Sequence, residues 1–196
     1  VMNNFGILSD SQESLFDKVT KPRTADKNQL IDSLKTGDIL ISGRGIIGLV
    51  GHAAIMSSNS KVLEMTGGDG WVNGLHDNNR QVSKEKWFDE HAHDSVIVYR
   101  CPDSHVARRA ARWAVQKYYN PKGGKKKIKH ITFRLTKNVW NISPSYCSKL
   151  VIQAYYYGAG RKKVVKNLTW IGRAIIPTTI PSYFLQPYKL VKVGRY

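Results

Sequence analysis

Ser143-Pro-Ser-Tyr-Cys-Ser-Lys-Leu-Val-Ile-Gln-Ala-Tyr155 is the stretch on which the reading of the whole chain turns. Its apolar positions Cys147, Leu150, Val151 and Ala154 recur at i, i+3, i+4 and i+7, the spacing of one helix face. Ser143 and Pro144 read as a start signal, a capping hydroxyl followed by a first-turn proline, and Gly158 and Gly160 as the stop. Cys147 is therefore expected in the first turn, on the inward face. Helix N-termini favour anions, and nucleophilic cysteines use such positions together with a base that takes the thiol proton. The same stretch also reads as a core helix with an ordinary buried cysteine.

The 196 residues, 41% of them hydrophobic, suit one globular domain with a small appendage. The division expected is an N-terminal helical extension over residues 1–35 and a main domain over 36–196. No apolar run approaches the roughly 20 residues of a membrane span, and no signal-peptide pattern is visible. The net charge of +17 points to an anionic partner: nucleic acid, a membrane surface or a cell-wall polymer. It concentrates in residues 122–129 and 161–166, which also read as solvated loops. Cys101 and Cys147 are the two cysteines, enough for one disulfide but without a C-x-x-C pattern. If Cys147 is a nucleophile, Cys101 is a spectator.

Helices are expected over Ser9 to Val19, Asp26 to Leu34, Lys84 to Glu90 and Asp103 to Tyr119, with Lys21-Pro22-Arg23 as a break. Strands are expected over Asp38 to Ser42, His52 to Met56, Lys61 to Met65, Ser95 to Cys101, Ile131 to Leu135 and Tyr188 to Val193. Gly43-Arg44-Gly45 interrupts the chain, and an apolar segment follows over Ile46 to Val50. Residues 72–94 are otherwise irregular and polar.

Of the six histidines, only His52 lies in a convincing strand, and the partner strand of its hairpin carries Glu64. A three-residue loop at Ser57, Ser58 and Asn59 pairs Met56 with Ser60 and sets His52 directly opposite Glu64, with Cβ atoms about 4.5–5.5 Å apart. A two-residue loop would send them to opposite faces. In the first arrangement Glu64 orients the imidazole and His52 takes the proton of Cys147, which attacks a carbonyl carbon. Backbone N–H groups at the helix terminus would hold the oxyanion. Taken singly, a strand histidine is more often a satisfied core residue and Glu64 a polar strand residue.

Four short motifs now stand in order: Gly37-Asp-Ile-Leu, Gly51-His-Ala-Ala-Ile, Val62-Leu-Glu and Ser145-Tyr-Cys-Ser-Lys-Leu-Val. Together they resemble the NlpC/P60 superfamily of papain-like hydrolases. Histidine before cysteine is the order of its circularly permuted, YiiX/YebB-like branch, and Ile176-Pro177 with Pro187-Tyr-Lys-Leu-Val-Lys-Val resembles that branch's closing segment. The resemblance covers residues 36–193. It implies an α+β, permuted papain-like fold, with a central antiparallel sheet or small barrel packed against the cysteine helix. It implies Cys147 as nucleophile, His52 as base, Glu64 as third residue and Tyr146 as a substrate-lining residue. No metal or cofactor is implied. The implied activity is that of a cysteine hydrolase of cell-wall peptides or related amide or ester substrates, placed in the envelope or outside the cell. Lys149 departs from that branch, which commonly has glutamate there; it is expected on the helix surface, with little bearing on the chemistry. The basic insertion at 122–129 is a second departure.

Two rivals stand beside this reading. The same scaffold supports acyl transfer to or from lipids with the same three residues, and a basic module without activity would hold wall polymer or nucleic acid. Asp89-Glu-His-Ala-His-Asp94 offers His91 and His93 as a divalent-metal alternative to a solvated loop. Lysines interleaved with Tyr118, Tyr119 and Trp140 carry no recognisable nucleic-acid signature, so no specific nucleic acid is expected.

Overall fold

Four- and five-residue runs rich in Ile, Val and Ala make a sheet buried on both faces. The computed structural model describes residues 24–43, 51–168 and 173–196. Strands β1 (Ile39–Ser42), β2 (His52–Met56), β3 (Lys61–Met65), β4 (Asn79–Ser83), β5 (Val96–Arg100) and β6 (Val191–Arg195) form one antiparallel sheet in the order β4-β3-β2-β1-β5-β6. The α+β class and central antiparallel sheet expected from the sequence are thus present, as a sheet with β4 and β6 at its ends.

Alternation sorts the strand residues into two cores. Ile39, Ile41, Ala53, Ile55, Leu63 and Met65 face helices α3 (Ser104–Tyr118) and α4 (Cys147–Tyr157). Leu40, Ala54, Met56, Val62, Val96 and Val98 face helices α1 (Thr24–Ser33) and α2 (Lys84–Glu90). Leu30, Ile31 and Leu34 join the second core, so the end of the N-terminal segment packs on the main sheet. Asp103 caps α3 by accepting from the N–H groups of His105 and Val106, and Ser83 caps α2 by accepting from Lys86.

Several expectations shift. Met56 pairs with Val62, not Ser60. Ser57 N–H donates to the Lys61 carbonyl at 2.9 Å and the Ser58 hydroxyl accepts from Lys61 N–H at 3.1 Å, which builds a longer turn. The slip is two residues, so it preserves the face while moving His52 and Glu64 from directly opposite to diagonal. Strand β4 lies inside the stretch read as irregular, because Asn79-Arg-Gln-Val-Ser is too polar to announce itself. Residues 131–135 form no strand, only isolated bridges from Phe133 to Leu75 and Ser145. The last strand begins three residues later than read. Cys101 and Cys147 are both free. The helix read over Ser9 to Val19, the Lys21-Pro22-Arg23 break and the Ile46 to Val50 segment lie outside the described residues. No described helix is long and apolar enough to cross a membrane.

Candidate active site

Two chain geometries deliver the central pair. Gly51 has φ +98°, and a Cβ there would sit 2.6 Å from the Ser42 carbonyl oxygen, so only glycine lets the chain enter β2 against β1. His52 follows as the first residue of that strand. Cys147 is the first residue of α4, and the helix cap is Tyr146, with extended backbone and no side-chain cap bond. The Ser143-Pro144 pair therefore does not start the helix; Ser143 Oγ instead accepts from Thr132 N–H at 3.2 Å in the preceding segment. Tyr146 thus offers no side-chain acceptor to the first-turn amides of α4, and amides in that position can donate to an anion beside Cys147.

The structure brings Cys147, His52 and Glu64 together. His52 is 4% exposed, Cys147 3% and Glu64 1%. His52 Nε2 donates to Glu64 Oε2 at 2.7 Å. Cys147 lies close enough to His52 to raise its titration, and with Nε2 engaged by Glu64, Nδ1 is the ring atom left for the sulfur. Burial alone would drive the imidazole toward neutrality, but the interactions with Cys147 and Glu64 outweigh it, so His52 titrates well above its usual range. Burial would likewise raise Glu64, but its hydrogen bond and attraction to His52, the Arg80 charge and the Trp87 hydrogen bond hold it below the usual carboxylate range. Glu64 stays ionised and His52 readily keeps a proton.

Two residues that hold Glu64 escaped the sequence reading. Arg80 stands opposite Glu64 in the β3–β4 ladder and donates through Nε to Oε1 at 2.8 Å. Trp87 Nε1 donates to Oε2 at 2.7 Å. Arg80 was hidden with its unrecognised strand, and nothing in the spacing of α2 marks Trp87 as a partner. Arg80 also pairs with Glu90. His91 stacks on Trp87 with ring centroids 3.8 Å apart and lies 5.8 Å from the His52 ring, nearly parallel to it. Its Nδ1 donates to the Trp87 carbonyl at 2.7 Å. His91 thus packs beside the imidazole; no cluster of three or more His, Cys, Asp or Glu side chains that could hold a metal occurs among the described residues.

Tyr146 is fully buried, and its hydroxyl accepts from the N–H of Ile175 at 2.8 Å. Ser148 donates to the carbonyl of the same residue. Together they fasten residue 175 against the start of α4. Burial pushes the Tyr146 hydroxyl up to about 12. Lys149 is not on the helix surface as expected. It is buried, because the segment before α4 folds over it, and Nζ donates to Asn141 Oδ1 at 2.6 Å and the Pro144 carbonyl at 2.9 Å. Gln153, one turn on, donates to the carbonyls of Val139 and Asn141, both at 2.8 Å. The two residues pin the strap that leads into Cys147.

Comparison with known proteins adds what geometry cannot. Residues 5–196 match the model of the family described as "Lipoprotein N-acylation protein LnsA-like". Over 153 residues the chain is 33% identical to an "Uncharacterized 30.3 kDa protein" of Bacillus thuringiensis, which covers 76% of this chain and 52% of the relative. The chain thus spans about half the length of the curated relative it matches. No solved structure matches. The family description speaks of acylation and does not name the NlpC/P60 superfamily.

Proposed function

We propose, for a chain that belongs to the lipoprotein N-acylation protein LnsA-like family, that it is an acyltransferase in which Cys147 carries the acyl group as a thioester. The observation that supports this reading most directly is the buried cluster of Cys147, His52 and Glu64, in which His52 is hydrogen-bonded to Glu64 and its titration is raised by Cys147. The acyl donor is an ester of a membrane lipid, and the acceptor is the free amine at the N-terminus of a lipoprotein.

The steps balance with no further reactant. The proton of Cys147 already rests on His52, and the sulfur attacks the ester carbonyl. The oxyanion sits against the uncapped first-turn amides of α4. Collapse breaks the ester C–O bond, His52 returns the proton to the departing alcohol, and the thioester remains. The amine then attacks the thioester carbonyl, His52 takes its proton, and expulsion of the Cys147 sulfur leaves an amide. Acylation also changes the base. Cys147 is one of the groups that raise His52. An acylated sulfur has no proton or charge to offer, so the imidazole loses that support when it must become a base toward the amine. Glu64, held by Arg80 and Trp87, keeps the ring oriented through both halves.

Amide hydrolysis of wall peptides would use the same three residues. The family description favours transfer to an amine over that reading, and thus the lipid acyl-transfer alternative over the peptidase. The experiment is to mix the protein with phospholipid vesicles and a lipidated peptide carrying a free N-terminal amine, and to follow the peptide by mass spectrometry. The expected product gains one acyl chain at the amine in the presence of wild type, and none with Cys147→Ala. Cleavage of wall peptides with no acyl transfer would refute the proposal.

A further inference from the structure

Charge is divided unevenly along this chain. Residues 104–196 hold twenty of the 31 Lys and Arg and none of the 14 Asp and Glu. The fold turns that division into two differently charged sides. Helices α1 and α2, with Asp26, Asp32, Glu85, Asp89 and Glu90, cover one face of the sheet; α3, α4 and the connection between them cover the other.

Within the basic side, three segments are stitched into one layer. Leu75 and Phe133 exchange backbone hydrogen bonds at 3.0 and 2.7 Å, Ser145 N–H donates to Thr132 at 2.9 Å, and Arg134 N–H donates to Ser145 at 3.0 Å. Buried Asn79 anchors the basic stretch to β4. It accepts from Ile131 N–H at 2.8 Å and donates to the Lys129 carbonyl at 2.9 Å. Gln153 ties in residues 139 and 141. Ser145 is two residues from Cys147, so the layer ends at the nucleophile.

This layer exposes apolar side chains: Val72 is 67% exposed, Trp140 60% and Ile128 48%. Beside them in the same three segments stand exposed Lys122, Lys125, Lys126, Lys129, Arg134 and Lys137. From residue 121 to 146, only Lys127 and His130 pair with a carboxylate among the described residues, and both use Asp77. Solvation accounts for lysines in a loop; it does not account for an exposed tryptophan, valine and isoleucine in the same layer. An amphipathic ring at the headgroup level with cations facing phosphates does.

We infer that residues 71–76, 122–130 and 134–140 form a docking surface for an anionic lipid bilayer, with Trp140, Val72 and Ile128 entering the headgroup boundary. This deepens the acyl-transfer reading, on which it rests for its purpose, because a docked layer ending at Ser145 would bring a membrane ester to Cys147. A soluble polyanion would engage the same cations but offers nothing to the three apolar side chains.

The test is co-sedimentation of the full chain with vesicles of pure phosphatidylcholine or of an equal mixture with phosphatidylglycerol. Binding to the mixed vesicles is expected, weakened by salt, with little on the pure ones. One cation near an anionic surface is worth about fivefold in partition, so the triple variant Lys125→Gln, Lys126→Gln, Lys129→Gln should bind about a hundredfold more weakly. Trp140→Ala should weaken vesicle binding and leave binding to soluble polyphosphate unchanged. Wild-type vesicle binding by the triple variant overturns the inference. So does polyphosphate binding as tight as vesicle binding with no effect of Trp140→Ala, which assigns the face to a polymer. A second readout, acylation of Cys147 by water-soluble 4-nitrophenyl butyrate, separates the two proposals. If it occurs while the triple variant still docks, the surface is wrong and the chemistry stands. If docking behaves as expected and Cys147 is never acylated, the reverse holds.

Discussion

Glu64→Gln probes the arrangement most sharply, because it keeps the shape of the side chain and changes only charge and one acceptor. Glu64 is 1% exposed and accepts from three donors: His52 and Trp87 at Oε2, both at 2.7 Å, and Arg80 at Oε1 at 2.8 Å. An amide has one oxygen. Its better orientation keeps His52 and Trp87 and turns an NH2 toward the Arg80 N–H, donor against donor. Losing a hydrogen bond between charged groups costs about 1.5–3 kcal/mol. Arg80 is partly exposed and keeps Glu90 as a partner, so the loss stays within that range. Equilibrium urea unfolding at pH 6 should show that loss as a lower midpoint at unchanged slope. The pH profile gives a second handle. His52 titrates at about 10 in the fold and 6.5 as a free group, so its stabilisation is full below about pH 6.5 and is lost as pH rises through 10. Glu64 titrates at about 2 rather than 4.5, so its stabilisation is full above about pH 4.5 and is lost as pH falls through 2. Wild-type stability should crest between those inner limits, and Glu64→Gln should flatten both limbs. A loss below about 1 kcal/mol, with the pH profile unchanged, would refute the buried ion pair.

Other expected outcomes follow from individual contacts. Lys149 is pushed down to about 8 by burial, from 10.5. Unfolding therefore takes up a proton there between those values, and this residue alone makes stability rise with pH over that range. That rise opposes the fall due to His52, so Lys149→Met should steepen the alkaline loss of stability in urea titrations. Trp87→Phe removes one donor to Glu64 while filling most of the volume; it should slow Cys147 alkylation by iodoacetamide about tenfold or less, by analogy with supporting bonds at other sites. Cys101 is buried and its thiol is pushed up by that burial, so mass spectrometry at pH 7 should find it modified far more slowly than Cys147. Gly37 has φ +88°, and a Cβ there would lie 2.6 Å from both the Cβ and the carbonyl oxygen of Ala107. Gly37→Ala should cost about 3 kcal/mol and lower Tm by about 6–12 °C in calorimetry.

The parts of this account legible in the sequence are those set by local periodicity. His52–Met56, Lys61–Met65 and Lys84–Glu90 fall where the pattern places them, and α4 begins at Cys147. The face shared by His52 and Glu64 survived a wrong register because a slip of two leaves side chains on the same side. What stayed illegible depends on distant partners. Arg80 and Trp87 reach Glu64 from elements whose own patterns carry no sign of it. Lys149 looked exposed because lysine in a helix usually is, and only the strap at residues 139–144 encloses it. The serine hydroxyls that lengthen the turn after β2 likewise act through geometry that composition does not encode.

Whether Cys147 carries an acyl group is the claim on which the rest depends. The direct measurement is intact-protein and peptide mass spectrometry after brief incubation with phospholipid vesicles and no amine acceptor, quenched in acid. The expected result is a mass gain of one acyl chain located on Cys147, released by hydroxylamine, abolished in Cys147→Ala and strongly reduced in His52→Ala. An adduct that never forms, or one found equally on Cys101, would contradict it.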